Sequence, residues 1–547
     1  METIHTLDTV KSFARSYGLL ASFLLLATFL LLFVRLNAES VHYGAYYGDE
    51  DHTVKQALNL LVNGHVDNFR AQEGTRWLVR AFYPYALIYM NTHIGGNVYR
   101  DGWSYPGHNY VVEHFVNSGA PSDVSSADPN LREFFHALRQ PYIGFVFACL
   151  LLLLLFFFKE KYYLVAFGGL LLLGFNLDFL AEQKLFYIEP AMLASLALLI
   201  LTYCHCLYHR TASSKITVLF SFLAAFMIST KFSTVLFILL PIILFFNVLQ
   251  GRDALRQVAI YMISLVAFYA LVNFPAFISL SSFNLFLHDL SSNFWHYSAG
   301  SDSSITVAPG ISHLGLIVHQ LETLLGYALY ILPTLVLFAI YHASVRERMV
   351  LIPLIVLGFL SIHSLSEQHV YLHRNLVPFY LPIAIVSLLS VEIVARRLAA
   401  LYDRTYILGG LTALALLWCI GVIVHAGGTT SFMSALLPNS KGNFTTELQS
   451  LHDRSRPTDV WYAVSFPRHF FENEPFENRI VSKDGVPAIL NEKNYPALIA
   501  QFDSLPEGSA VLVNKTGNNK HLTNYILPTH FTENRQFGNY YLFFDIK

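Results

Sequence analysis

The feature that most constrains this chain is a series of about eleven apolar runs, near residues 17–35, 141–158, 162–181, 187–208, 216–230, 233–249, 257–279, 316–341, 349–363, 376–394 and 406–425. A helix needs about 20 apolar residues to cross the hydrocarbon core, and Leu/Phe-rich runs satisfy their backbone groups in lipid as helices rather than barrel strands. Only 13% of the residues are charged and 54% are hydrophobic, against about 25% charged in an ordinary soluble domain, so the apolar excess cannot be hidden in a soluble core. The sequence predicts an all-α polytopic membrane domain of about 11 transmembrane helices over residues 1–425 and a small soluble α/β domain over 426–547.

Basic residues orient the spans. Lys11 and Arg15, Lys159 and Lys161, Arg210 and Lys215, Arg252 and Arg256, Arg346 and Arg348, and Arg396, Arg397 and Arg404 fall in every second connection, which places those connections in the cytoplasm. The amino terminus is then cytoplasmic, and a first loop over roughly 36–140, a loop near 280–315 and the tail lie outside. A signal peptide over residues 1–38 is the competing reading of the first run, and its cleavage leaves the topology unchanged.

The first loop reads as a helix around 53–68, then a Trp77–Met90 stretch whose aromatics suit a helix in the membrane interface. The tail shows apolar strands near 460–466, 510–513 and 540–545 with a helical stretch near 493–503. A net charge of -2 and the absence of a Walker loop, dinucleotide fingerprint or zinc-finger spacing argue against nucleic acid as a partner. The four cysteines lie in or beside apolar runs, so no disulfide framework can be read from them.

The residues that suggest chemistry gather on the outer face. Asp49, Glu50 and Asp51 stand together where the first outer loop leaves the membrane. One acid there is explained as a helix cap, but three adjacent carboxylates repel one another and suit a general base or a divalent-metal site held by Asp49 and Asp51. No metal is required by the sequence. Glu189, followed by Pro190, opens the fourth span, where it serves either the helix start or a cavity. Lys184, Lys231 and Arg374 occupy short outer connections that should be poor in basic residues. They either snorkel to the interface or hold a phosphate.

Other clusters are less pointed. His369 and His373, four apart, would share a helical face and with Glu367 suit zinc; His373 also stands beside Arg374 among the phosphate candidates. The Asn293–Gly300 loop, with His296 and Tyr297, and the Tyr105–His108 turn, with Tyr105 and His108, are candidates for contact with substrate or, equally, for anchoring and turn formation. Cys204, His205, Cys206 and His209 lie at the cytoplasmic end of a span and read as structural.

The order Asp49-Glu50-Asp51, Glu189-Pro190, Lys231 and Arg374-Asn375-Leu376-Val377-Pro378 resembles bacterial GT-C glycosyltransferases, and more narrowly the protein O-mannosyltransferase and aminoarabinose-transferase branch, over about residues 17–425. The resemblance implies a polyprenyl-phosphate sugar donor, inversion at the anomeric carbon, a lipid-linked, glycan or protein acceptor among the membrane lipids, and a bacterial inner-membrane location. It also implies a first-loop acid acting on the acceptor. On that basis Asp49 is the expected base, Glu50 or Asp51 positions acceptor or metal, and Lys231 and Arg374 hold the donor phosphate. The tail lacks Trp-Trp-Asp-Tyr-Gly, having only Trp461-Tyr462-Ala463 nearby, which disfavours the branch that recognises glycosylation sequons. A polysaccharide polymerase or ligase, a lipid or solute transporter, and a structural scaffold are the competing classes. The first expects its large loop between later spans, the second expects midplane charges and repeats, and the third leaves acids and cations without a common purpose.

Overall fold

The structure, a computed structural model, describes residues 18–32, 35, 48–69, 73–93, 106–117, 129–174, 188–299, 313–366, 373–401, 409–410 and 412–421, with five strands between 461 and 544. The first half comprises α1 (Gly18–Leu32), α2 (Gly48–Asn63), α3 (Glu73–His93), α4 (Pro106–Val111), α5 (Pro129–Lys159) and α6 (Tyr163–Gly174). Then follow α7 (Ile188–His209), α8 (Ser214–Thr230), α9 (Leu240–Val248), α10 (Gly251–Val272) and α11 (Leu280–Ala299). The last helices are α12 (His313–Leu325), α13 (Ala328–His342), α14 (Val345–Ser366), α15 (Tyr380–Leu401) and α16 (Thr412–Gly421). Among the described residues five helices are long and apolar enough to cross a membrane, and six shorter apolar helices coincide with the remaining runs. The chain is a multi-pass integral membrane protein.

Burial sorts these helices. The apolar window of α7 is 78% buried within the protein and that of α10 only 17%, so α7 is central and α10 presents Met262, Ile263 and Val266 outward. Lipid tails are as apolar as Leu, so the helices associate through close packing and polar contacts rather than through expulsion of water. Accordingly small and apolar α7 residues (Ala191, Ala194, Ala197, Leu193, Ile200) are fully buried.

At the arginine-rich end, α15 is tied to the α5–α6 connection. Glu392 Oε2 accepts from the backbone N–H groups of Leu164 and Val165 at 3.1 and 3.3 Å, which caps α6 with a side chain from a distant helix. Arg396 donates to Glu392 Oε1 at 2.8 Å and to the Lys161 carbonyl at 2.6 Å, and lies 4.3 Å from the centre of the Tyr162 ring. Glu392→Ala orphans two buried donors; because Arg396 is partly exposed, the expected loss is about 1–3 kcal/mol, read as a lowered Tm in detergent.

Three sequence expectations change. The run 316–341 is two helices, α12 and α13, broken at Gly326, whose φ of +58 lies in the left-handed region that glycine adopts without strain. Residues 293–299, expected as loop, continue α11, and Pro106–His108, expected as a turn, opens α4. Proline is compatible with a first helical turn because that N–H has no intrahelical partner. The α2 and α3 helices agree with the stretches expected near 53–68 and 77–90, with α2 beginning at Gly48 and α3 at Glu73.

In the tail, β1 (Trp461–Val464), β2 (Ile480–Ser482), β3 (Ala510–Asn514), β4 (Glu533–Phe537) and β5 (Tyr540–Phe544) form one sheet in the order β2-β1-β3-β5-β4. The β2-β1-β3 part is parallel and β3-β5-β4 antiparallel, with Phe537 opposite Tyr540. The helical stretch expected near 493–503 lies outside the described residues.

Candidate functional site

The break after α8 creates the first part of the site. Lys231 is extended (φ -162, ψ 143), which ends the helix and turns the chain into a 3-10 helix over Phe232–Leu239. Its Nζ donates to Glu189 Oε1 at 3.0 Å and to Asn375 Oδ1 at 2.5 Å. Glu189 stands in the first turn of α7 beside Pro190, and Asn375 in a 3-10 helix over His373–Phe379 that leads into α15. Glu189 and Asn375 are buried, and the Lys231 side chain is 16% exposed. Three segments far apart in sequence thus bring together one anion, one cation and one amide.

The second part lies at the start of α3. Glu73 Oε1 accepts from Arg76 Nη1 at 2.7 Å and Oε2 from Arg80 Nη2 at 3.0 Å; Glu73 and Arg76 are buried, and the Arg80 side chain is 11% exposed. One carboxylate therefore serves two guanidiniums and neutralises only one of them. Desolvation pulls Arg80 below its ordinary pKa, and Glu73 opposes that shift. Among the described residues Arg76 Nε and Arg80 Nη1 are buried without a hydrogen-bond partner.

Gly74 joins the two parts. A Cβ there would lie 2.1 Å from Thr230 Oγ1 and 2.9 Å from the Phe226 carbonyl, so only glycine lets α3 rest on the end of α8, one residue before Lys231. Gly74→Ala is expected to force the helices apart, lowering Tm in detergent by several degrees. Trp77 Nε1 donates to the Val272 carbonyl at 2.9 Å and Asn273 Nδ2 to Ser229 Oγ at 2.8 Å, which adds the end of α10 to the same layer.

The acidic run reaches this layer through α2. Arg76 Nη1 donates to the Asn68 carbonyl at 2.8 Å and Nη2 to Asn68 Oδ1 at 3.0 Å, so the Asn68 amide turns its Nδ2 toward His52 Nε2, 2.8 Å away. Asp67 ties the same segment to α2 by accepting from Gln56 and Asn59 at 3.1 and 3.2 Å. Asp49, Glu50 and Asp51 occupy the first turn of α2, and His52 follows them directly. Their side chains lie outside the described residues.

Of the remaining candidates, Lys184, His369, Glu367 and Tyr105 lie outside the described residues. Arg374 and His373 stand in the 3-10 helix before α15, and His296 and Tyr297 in α11, with side chains outside the description. His108 is taken up by Tyr83, whose hydroxyl lies 2.8 Å from its Nδ1; burial raises the pKa of that phenol. All four cysteines are free, and no group of three or more metal-ligating side chains occurs among the described residues.

Sequence reasoning missed Glu73, Arg76, Arg80 and Asn68. A signal was there, since 73, 76 and 80 repeat at helical spacing, but it lies in a long first loop, where basic residues break no charge rule.

Solved structures of two other proteins are similar to this chain over most of its length. ArnT from Cupriavidus metallidurans bound to undecaprenyl phosphate is 14% identical with a TM-score of 0.45, covering 95% of this chain and 97% of that one. Its apo state is 13% identical with a TM-score of 0.43, covering 97% and 98%. The oligosaccharyltransferase AglB from Archaeoglobus fulgidus, in complex with an inhibitory peptide and a dolichol-phosphate, is 11% identical with a TM-score of 0.40, covering 89% and 69%. No protein-family model and no curated protein sequence matches the chain.

Proposed function

We propose that this protein is a membrane glycosyltransferase that moves one sugar from a polyprenyl-phosphate donor to a lipid-linked, glycan or protein acceptor at the outer face. The observation that carries the reading is a layer of polar groups at one end of the bundle. One part runs by hydrogen bonds from His52, next to the acidic run, through Asn68 and Arg76 to Glu73, the other joins Lys231, Glu189 and Asn375, and the close packing of Gly74 on Thr230 sets the two side by side.

The chemistry needs what this layer offers. The acceptor hydroxyl oxygen attacks the anomeric carbon as the carbon–oxygen bond to phosphate breaks, which inverts that carbon. A carboxylate takes the hydroxyl proton, and the phosphate, already a weak base, leaves with its electron pair and requires charge neutralisation more than protonation. Asp49 is assigned as base, with Glu50 or Asp51 orienting acceptor or a divalent cation. The leaving phosphate falls to Arg374 and to the positive charge left over on the Arg76–Glu73–Arg80 group, with His373 and Lys184 as further candidates. The five-stranded sheet belongs to an outer soluble domain over 426–547 that grips the acceptor.

Right-side-out vesicles containing the protein test the face and the chemistry together. Undecaprenyl-phosphate-linked sugar supplied to the outer leaflet, with lipid, glycan and peptide acceptors outside, is expected to be consumed, and consumption to fall at least tenfold in Arg374→Ala. Consumption only when the donor is in the inner leaflet overturns the assignment of the face.

A further inference from the structure

Two polar groups in the same layer differ in net charge. The Arg76–Glu73–Arg80 group carries one positive charge in excess, whereas Lys231 is balanced by Glu189 at 3.0 Å, and Asn375 adds an amide but no charge. An anion is drawn to the first. A neutral polyol, whose hydroxyls both donate and accept, is matched by the second, since a carboxylate, an ammonium and an amide offer both kinds of partner without net charge.

Asn375 sharpens this contrast. It is 1% exposed, and its amide orientation is set because Lys231 Nζ, a donor only, occupies Oδ1. The other end, Nδ2, is buried without a hydrogen-bond partner among the described residues. A buried N–H left unpaired costs stability comparable to a lost hydrogen bond, and such groups in a folded protein call for a missing partner. The 3-10 helix that carries Asn375 also carries Arg374, which places the unpaired donor one residue from a proposed phosphate ligand.

We propose that Glu189, Lys231 and Asn375 form the subsite for the sugar ring, with Asn375 Nδ2 donating to a ring hydroxyl oxygen. The inference rests on the lipid-phosphate sugar donor proposed above and deepens it. It moves Lys231 from the phosphate to the sugar and makes Asn375 a specificity-determining residue. Asn375 does not take part in bond breaking.

The test compares binding of undecaprenyl phosphate with binding of undecaprenyl-phosphate-linked mannose and aminoarabinose to the detergent-purified full chain. In the wild-type protein at least one sugar-bearing lipid is expected to bind more tightly than the sugar-free lipid. Asn375→Ala is expected to reduce that advantage about three- to tenfold, the worth of one hydrogen bond, with undecaprenyl phosphate affinity unchanged. A wild-type Tm for Asn375→Ala, together with its unchanged affinity for undecaprenyl phosphate, excludes misfolding as the cause of the loss. Equal weakening of all three lipids, or none, overturns the subsite. A wild-type chain that binds no lipid overturns the donor reading and the subsite with it; wild-type binding that ignores the sugar overturns the subsite alone.

Discussion

Asp49→Asn lowers sugar transfer by about 10²–10⁴-fold while leaving membrane insertion unchanged, the range expected when a general base is lost. The fold is little affected by this change, because residue 49 stands in the first turn of α2, where replacing Asp by Asn loses only the about 0.3–1 kcal/mol that a carboxylate gains from the helix dipole. The chemistry is not insulated, because an amide cannot take the acceptor proton. Asp51→Asn separates the two acids. If the large loss appears there and Asp49→Asn transfers at the wild-type rate, the base is Asp51, and if neither variant loses rate the acidic run has no part in proton transfer.

Glu73→Ala has the second large effect, on stability. It leaves Arg76, fully buried, and Arg80, nearly so, without their shared carboxylate. Breaking a buried ion group by removing one partner costs about 3–5 kcal/mol, because the desolvated charges that remain lose their only counter-charge in the group. The expected reading is a sharply lower Tm in detergent. Replacing the whole group, as Glu73→Leu with Arg76→Met and Arg80→Met, removes charge and partner together and restores much of that stability. The triple variant still fails to turn over a phosphate-linked donor, because the positive charge has gone. A triple variant with wild-type turnover would remove these arginines from the phosphate site.

The apolar runs were legible because membrane crossing is written in composition: every run has an apolar helix among the described residues, five of them long enough to span. The break inside 316–341 was harder to see, since a single Gly326 in an apolar run costs a helix little and only its left-handed φ marks a corner. In the tail, β1, β3 and β5 agree with the short apolar strands expected near 460–466, 510–513 and 540–545. The β4 strand, Glu533–Phe537, is polar along most of its length, and its one signal was Gly538-Asn539, two residues of hairpin-turn type before Tyr540.

The site was legible as a list and not as a set of pairs. Glu189 and Lys231 stood out as ionisable groups at span ends, but that one neutralises the other follows from α7 and α8 packing side by side, which no spacing reveals. Asn375 carries no charge and drew notice only as part of the motif beginning at Arg374. Gly74 carries no signal of its own in the sequence, and its importance appears only where Thr230 meets it.

Covalent transfer of the sugar and carriage of a lipid-linked sugar across the membrane leave different products. Purified protein is given undecaprenyl-phosphate sugars labelled in the sugar, with candidate lipid, glycan and peptide acceptors, and both products are counted. A transferase leaves label on an acceptor, with one undecaprenyl phosphate released per sugar transferred, and this is the expected result. Label that stays on the original lipid with every donor and acceptor, while the intact lipid changes leaflet, would contradict it.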